Sequence, residues 1–234
     1  MTVSNQPHFD AIASRYSKAS DTWSSIYQQI EHAIAPLITN KRVLDIGNGG
    51  YFPYNPRLAS EVVVVDISPE MLEQMKEKHV TKIVDDATKL NRIPNESFDI
   101  SLYILCVHHI NGKTHAEARQ TLNVICQKAF QKLKRGGTII IAEPTMNGLL
   151  QVIEKAAYPL TRTTLNLFKV PMIYFHSAQT IQSALATTFQ SQIQTQYLKI
   201  DGWVDPLGGS FPGLLKIPAS LCPTQYHLFS TQKK

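Results

Sequence analysis

The sequence predicts an α/β fold, a mostly parallel sheet with helices on both faces, and three observations carry that prediction. Val43-Leu44-Asp45-Ile46 and Val62-Val63-Val64-Val65-Asp66 are apolar, β-branched runs of the kind that strands buried on both faces require. The first run opens into Gly47-Asn48-Gly49-Gly50, a loop whose glycines let the backbone approach a ligand at the strand's carboxyl end. Strand-like and helix-like periods then alternate as far as residue 143, which calls for crossover connections.

The elements follow in order. Asp21 suits the cap of a helix over 22–38, where Trp23, Ile26, Ile30 and Ile34 recur at helical spacing. Strands are predicted over 42–46 and 62–66. Ser68 as cap, Pro69 at the first helical position and Glu70 in the first turn open a helix to Lys78. Strands over 82–85 and 98–105, a helix over 113–134 and a strand over 138–143 complete the alternation. Ser177 caps a helix to Thr188, and strand-like runs over 191–200 and 224–231 close the sheet in antiparallel fashion.

Asp66, at the end of the second strand, is placed to accept hydrogen bonds from a ribose, so the ligand is expected to carry a nucleoside. The loop excludes two phosphate sites. A dinucleotide fingerprint needs glycine where Phe52 stands, and a P-loop needs a Gly-Lys-Ser/Thr ending that does not follow Gly50. Asp45 inside the first strand end suits a ligand with a positive amino acid end and no phosphate.

With these residues in place, the chain resembles the class I S-adenosylmethionine-dependent methyltransferases, and the resemblance covers roughly its first 145 residues. Val43 to Gly49 is similar to that family's first motif. Asp85-Asp86-Ala87-Thr88-Lys89-Leu90 with Ile93-Pro94 and Ser97-Phe98-Asp99 resembles its third, and Leu133-Lys134-Arg135-Gly136-Gly137 the turn into its fifth strand. The resemblance implies a Rossmann-like three-layer sandwich of seven strands, the last antiparallel, and S-adenosylmethionine as cofactor. It implies cofactor contacts at Asp45, Gly47, Asn48, Gly49, Asp66, Ile67, Asp86, Ala87, Leu105 and Cys106, with Asp66 on the ribose and Asp86 on the adenine amino group. Phe9-Asp10-Ala11-Ile12-Ala13-Ser14-Arg15-Tyr16 is similar to the family's lid opening and makes Tyr16 a further contact. An amphipathic helix that merely covers the sheet is the alternative there.

At 234 residues, 43% hydrophobic, the chain can bury one full core, and a single domain over 1–234 is expected, with 1–40 as a helical lid. No apolar run reaches about 18 residues and no secretory signal pattern opens the chain, so the expectation is a cytoplasmic protein without a membrane span. Cys106, Cys126 and Cys222 are scattered without Cys-x-x-Cys spacing, which argues against disulfides and against a metal site. Residues 1–150 carry 16 Lys and Arg against 15 Asp and Glu, while 151–234 carry 7 against 3. This diffuse excess, without basic blocks interleaved with aromatics, speaks against nucleic acid as partner.

Two stretches stand outside the α/β frame. The first, 146–176, is apolar and aromatic; the second, 201–222, holds Trp203 among prolines and glycines. Connections this long in a compact domain usually serve function. They are read as substrate-side insertions lining an apolar pocket, with core packing or a homodimer face as the alternative. Methyl transfer from a sulfonium asks the protein to align an acceptor, exclude water and at times remove a proton. His108 and His109, past the fourth strand, are the candidates for proton removal; Glu143 is a weaker one that is expected rather to shape the exit of its strand. The segment Tyr51 to Arg57, with Pro53 and Pro56, predicts a short or irregular first crossover. The reading as a whole is a methyltransferase for a small, partly apolar molecule. A tRNA or other nucleic-acid methyltransferase, or a non-catalytic cofactor-binding partner subunit, are the alternatives.

Overall fold

The computed structural model describes residues 5–19, 24–110, 112–146, 148–167, 173–204 and 215–234. Asp21 and Trp23, and Phe168, Gly208, Gly209, Phe211 and Gly213 of the two insertions, lie outside these residues. A seven-stranded sheet has the order β3-β2-β1-β4-β5-β9-β6, formed by β1 (Arg42–Ile46), β2 (Glu61–Asp66), β3 (Thr81–Val84), β4 (Phe98–Ile104), β5 (Leu133–Thr145), β6 (Gln194–Leu198) and β9 (Gln225–Gln232). The first five strands pair in parallel, and β9 runs antiparallel between β5 and β6. A two-stranded ribbon, β7 (Trp203–Val204) and β8 (Ile217–Pro218), occupies the second insertion.

The alternation of side chains explains why the central strands read as unbroken apolar runs. Leu44, Ile46, Val63 and Val65 enter one core with Leu122, Ile125 and Ala129 of α4 (His115–Lys132) and Ile181, Leu185 and Phe189 of α6 (Ala178–Phe189). Val43, Val62, Val64, Ile100 and Leu102 enter the other, against Ile26, Ile30, Ile34 and Ile38 of α2 (Ser24–Ile38). Each such side chain taken from water contributes about 1.5–3 kcal/mol.

Helix starts follow their caps. Ser68 Oγ accepts from Met71 N at 3.1 Å to open α3 (Pro69–Gln74), Thr114 Oγ1 accepts from Glu117 N to open α4, and Ser177 Oγ accepts from Thr180 N to open α6. The helix predicted to Lys78 ends four residues sooner, because Met75 turns to extended backbone, buries its side chain and gives its carbonyl to Lys82 Nζ at 2.8 Å. The first crossover is irregular as expected: between β1 and β2 a run of turns and bends holds a single 3-10 turn, Pro56–Leu58, and no α-helix. The amino-terminal helix α1 (Gln6–Ala19) packs on α3, and α5 (Gly148–Leu167) fills most of the first insertion. Among the described residues no helix is long and apolar enough to cross a membrane.

Candidate functional site

The carboxyl ends of β1, β2, β3 and β4 open into a cavity of about 510 Å³, within the range of small-molecule sites. Gly47, Gly49, Asp66, Ile67, Asp86, Ala87, Leu105, Cys106 and His109 all line it. Asn5, Gln6 and Phe9 of the amino-terminal segment form its cover. The topology gathers them because every parallel strand delivers its carboxyl end to the same edge of the sheet.

Asp66 ties the glycine loop to β2. Its Oδ2 accepts from Gly49 N and its Oδ1 from Ser68 N, both at 2.9 Å. Burial pushes this carboxyl up, against the pull of the backbone amides. With Ile67 N as a third backbone donor, the carboxylate's four lone-pair sites still leave room for another donor. Past the adjacent strand β3, Asp86 Oδ1 accepts from Thr88 N at 2.8 Å and Thr88 Oγ1 at 2.7 Å, and Lys89 Nζ lies 3.3 Å from Oδ2. Burial alone would raise Asp86, but those donors outweigh it and hold the carboxyl below its ordinary value.

The floor is where Gly47 meets Cys106. At Gly47, with φ of 71°, a Cβ would stand 2.7 Å from Cys106 Cβ, so only glycine fits. Cys106 Sγ donates to Ile46 O, and burial drives its thiol well above the usual range, so it is a wall and not a nucleophile. Leu105 takes the left-handed conformation, φ 49°, which costs a non-glycine residue about 1–3 kcal/mol and needs its surroundings to hold it.

Three sequence-derived candidates fall away from the main cavity. Asp45 and Asn48 border a small adjoining recess with Tyr27, Tyr51 and Pro53, which shares Gly47 and Leu105 with the cavity. Asp45 Oδ2 accepts from Tyr54 Oη and from Asn48 Nδ2, each at 2.7 Å, so its carboxylate is committed to the irregular crossover. Burial lifts it to about 6, with the two donors opposing. His108 also does not line the cavity; its Nδ1 lies 2.7 Å from Glu143 Oε2. Tyr16 belongs to α1, but its side chain is outside the described residues.

His109 meets the amino-terminal segment: Phe9 contacts its ring edge-on at 5.2 Å, and Asn5 Nδ2 donates to its carbonyl at 2.6 Å. Burial, then the neighbouring His108, pulls its pKa well below the ordinary value, so the ring is neutral near pH 7. The segment's other anchor is Asp10, whose Oδ1 accepts from Ser68 Oγ at 2.5 Å. Asn5, Gln6, Met71 and Asp85 were missed as cavity residues. Of these, Asp85 alone carried a signal, as the acid beside Asp86. No described residue of 146–176 or 201–222 lines the cavity.

Residues 44–141 match the family model described as a methyltransferase domain. The matched residues are fewer than half of the chain. Its fold is that of the class I S-adenosylmethionine-dependent enzymes. The chain of a candidate methyltransferase in complex with the Haloferax volcanii Trm112 methyltransferase activator superposes with a TM-score of 0.63, at 17% identity over 97% of this chain and 96% of that one. A Thermotoga maritima S-adenosylmethionine-dependent methyltransferase gives 0.59 at 17% identity, over 97% of this chain and 98% of that one. The magnesium protoporphyrin IX methyltransferase of Synechocystis, with S-adenosylhomocysteine bound, gives 0.59 at 13% identity, over 92% and 86%. At such identities the likeness is one of fold. No curated protein sequence matches the chain. The matched span, 44–141, runs from within β1 into β5 and so contains the glycine loop and all four strand ends that frame the cavity.

Proposed function

We propose that the chain is a cytoplasmic methyltransferase that holds S-adenosylmethionine in the 510 Å³ cavity and methylates a small, partly apolar molecule. The observation that carries this reading is that two carboxylates, Asp66 at the end of β2 and Asp86 just past the adjacent β3, line one cavity together with a Gly47 where a side chain would collide with Cys106. Asp66 accepts from the ribose through its remaining lone-pair site, and Asp86, with Ala87 beside it, receives the adenine amino group. Gly47, Gly49, Leu105 and Cys106 lie against the methionine portion. Asp45 and Asn48 act from the recess behind the loop. Ile67 and Tyr16 complete the contacts.

When bound, the cofactor supplies an activated methyl group, so the chain's task is alignment and exclusion of water. The cover of Asn5, Gln6 and Phe9 serves that exclusion. A neutral His109 takes a hydrogen bond or a proton from the acceptor, and His108 is the second candidate. The three free cysteines agree with a reducing compartment. The helical lid of 1–40 and the insertions 146–176 and 201–222 are assigned to the acceptor side, within one domain.

Calorimetric titration with S-adenosylhomocysteine tests the reading. A single site of roughly micromolar affinity is expected, and no heat at about 1 mM ligand would remove it. A second reading, a methyltransferase assembled with an activator protein, is favoured by the fold's likeness to the Haloferax chain and by Trp203 and Leu221, which stand 64% and 71% exposed. Light scattering on the chain copurified with its host proteins separates the two.

A further inference from the structure

Glu143, near the end of β5, is 2% exposed and makes three hydrogen bonds of 2.7 Å. Its Oε1 accepts from the backbone amides of Cys106 and Val107, which begin the 3-10 turn Val107–His109 after β4, and its Oε2 faces His108 Nδ1. Cys106 has no side-chain cap of its own for that turn. A carboxylate borrowed from the neighbouring strand therefore satisfies the turn's orphan donors. It also holds the residue after Leu105, whose left-handed backbone is fixed on its other side by Leu105 N donating to Ala142 O at 2.8 Å.

We infer that Glu143 is a positioning residue with two separable roles: it clamps the Leu105–Val107 wall of the cofactor cavity, and it fixes the tautomer of His108. This rests on the reading of the cavity as the cofactor site. An ionised carboxylate only accepts, so the ring nitrogen facing it is the protonated one, and the basic nitrogen of His108 is Nε2. The ring is held in that pose between His109, at 4.1 Å between centroids, and Phe175, stacked at 5.6 Å. Tyr174 N donating to His108 O at 3.0 Å attaches the same turn to the segment that carries Phe175. A carboxylate that orients an imidazole in this way sets which nitrogen can receive a proton from an acceptor hydroxyl or amine.

The two roles respond differently to substitution. In E143Q the amide oxygen can still take both backbone donors, but the amide NH₂ donates to Nδ1 and so imposes the opposite tautomer. In E143A both roles are lost. Nitrogen-15 spectra of the imidazoles at pH 8, with the His108 signals assigned by their absence in H108A, read the tautomer directly. The native protein is expected as Nδ1–H and E143Q as Nε2–H; the same tautomer in both, or Nε2–H in the native protein, overturns the orienting role. Calorimetry with S-adenosylhomocysteine reads the clamp: E143Q within about threefold of native and E143A weaker by about tenfold are expected. Equal affinity in E143A overturns the clamp. Should E143A fail to fold, E143D is titrated in its place, where the shortened arm releases one anchor and the same weakening is required. If the native chain binds no S-adenosylhomocysteine, the cofactor reading falls with the clamp, while the tautomer result stands by itself.

Discussion

Tyr54 Oη donates to Asp45 Oδ2 at 2.7 Å, with both side chains buried. The contact lets an irregular crossover stand where a helix would otherwise bridge β1 and β2, because it gives a buried carboxylate a partner and anchors the segment of Pro53 and Pro56. Tyr54→Phe should cost about 1–3 kcal/mol at neutral pH, the usual range for leaving a buried acceptor short of a donor. Urea denaturation at pH 7.5 measures it, and an unchanged midpoint would mean that Asn48 alone suffices.

The same carboxyl sets a pH dependence of definite sign. Asp45 titrates at about 6 in the fold against an ordinary 3.8, so between these values the unfolded chain gives up a proton that the fold keeps. The stability due to this group therefore falls as pH rises through that window and is level above it. Denaturation curves for Asp45→Asn, subtracted from native across pH 3.5 to 7, should recover this falling slope; a difference independent of pH would contradict it.

His176 has the opposite slope. It is 2% exposed, neither ring nitrogen has a partner among the described residues, and burial pulls its pKa down to about 3 from 6.5. The unfolded chain takes up a proton below 6.5 that the fold refuses, so this group's stability is whole above 6.5 and is lost as pH falls toward 3. His176→Phe should therefore resist acid better than the native chain in a thermal melt at pH 5, and a melt no higher than native at that pH counts against the assignment.

Cofactor affinity should depend on Asp66 more than on Asp86. Asp66→Ala removes the proposed ribose acceptor and also frees Gly49 N, so S-adenosylhomocysteine should bind at least about tenfold more weakly. Asp86→Ala should lose less, about threefold, since Thr88 and Lys89 keep the wall polar. Near-normal calorimetry for Asp66→Ala would withdraw the ribose assignment.

Gly47→Ala should abolish detectable binding and lower the melting temperature, since the new methyl meets Cys106 Cβ and the backbone there has φ of 71°. Adding Cys106→Gly relieves the collision but leaves the backbone penalty, so the double variant should recover binding only in part. Full recovery would show that contact, and not conformation, reserves the position for glycine.

The sequence by itself determined the order of strands and helices in the α/β frame, though not α5 or the β7–β8 ribbon of the insertions, the edge at which the cavity opens, and the identities of Gly47, Gly49, Asp66 and Asp86 within it. Those features are local: a β-branched run, a cap or a glycine loop is specified by residues a few places apart, and a parallel topology then delivers the strand ends together. The tertiary structure decided the partners. Asp45 is 9 residues from Tyr54, Glu143 is 35 from His108, and Asn5 is 104 from His109; which donor meets which carboxylate depends on register and on the side of the sheet a residue faces. Asp45 shares a strand face with Val43 and so points toward Tyr54, whereas Glu143 reaches the turn after β4 because β5 lies beside β4 in register. Periodicity along the chain marks which side chains are buried, but the long-range meeting of strand and turn fixes what each buried polar group must bond.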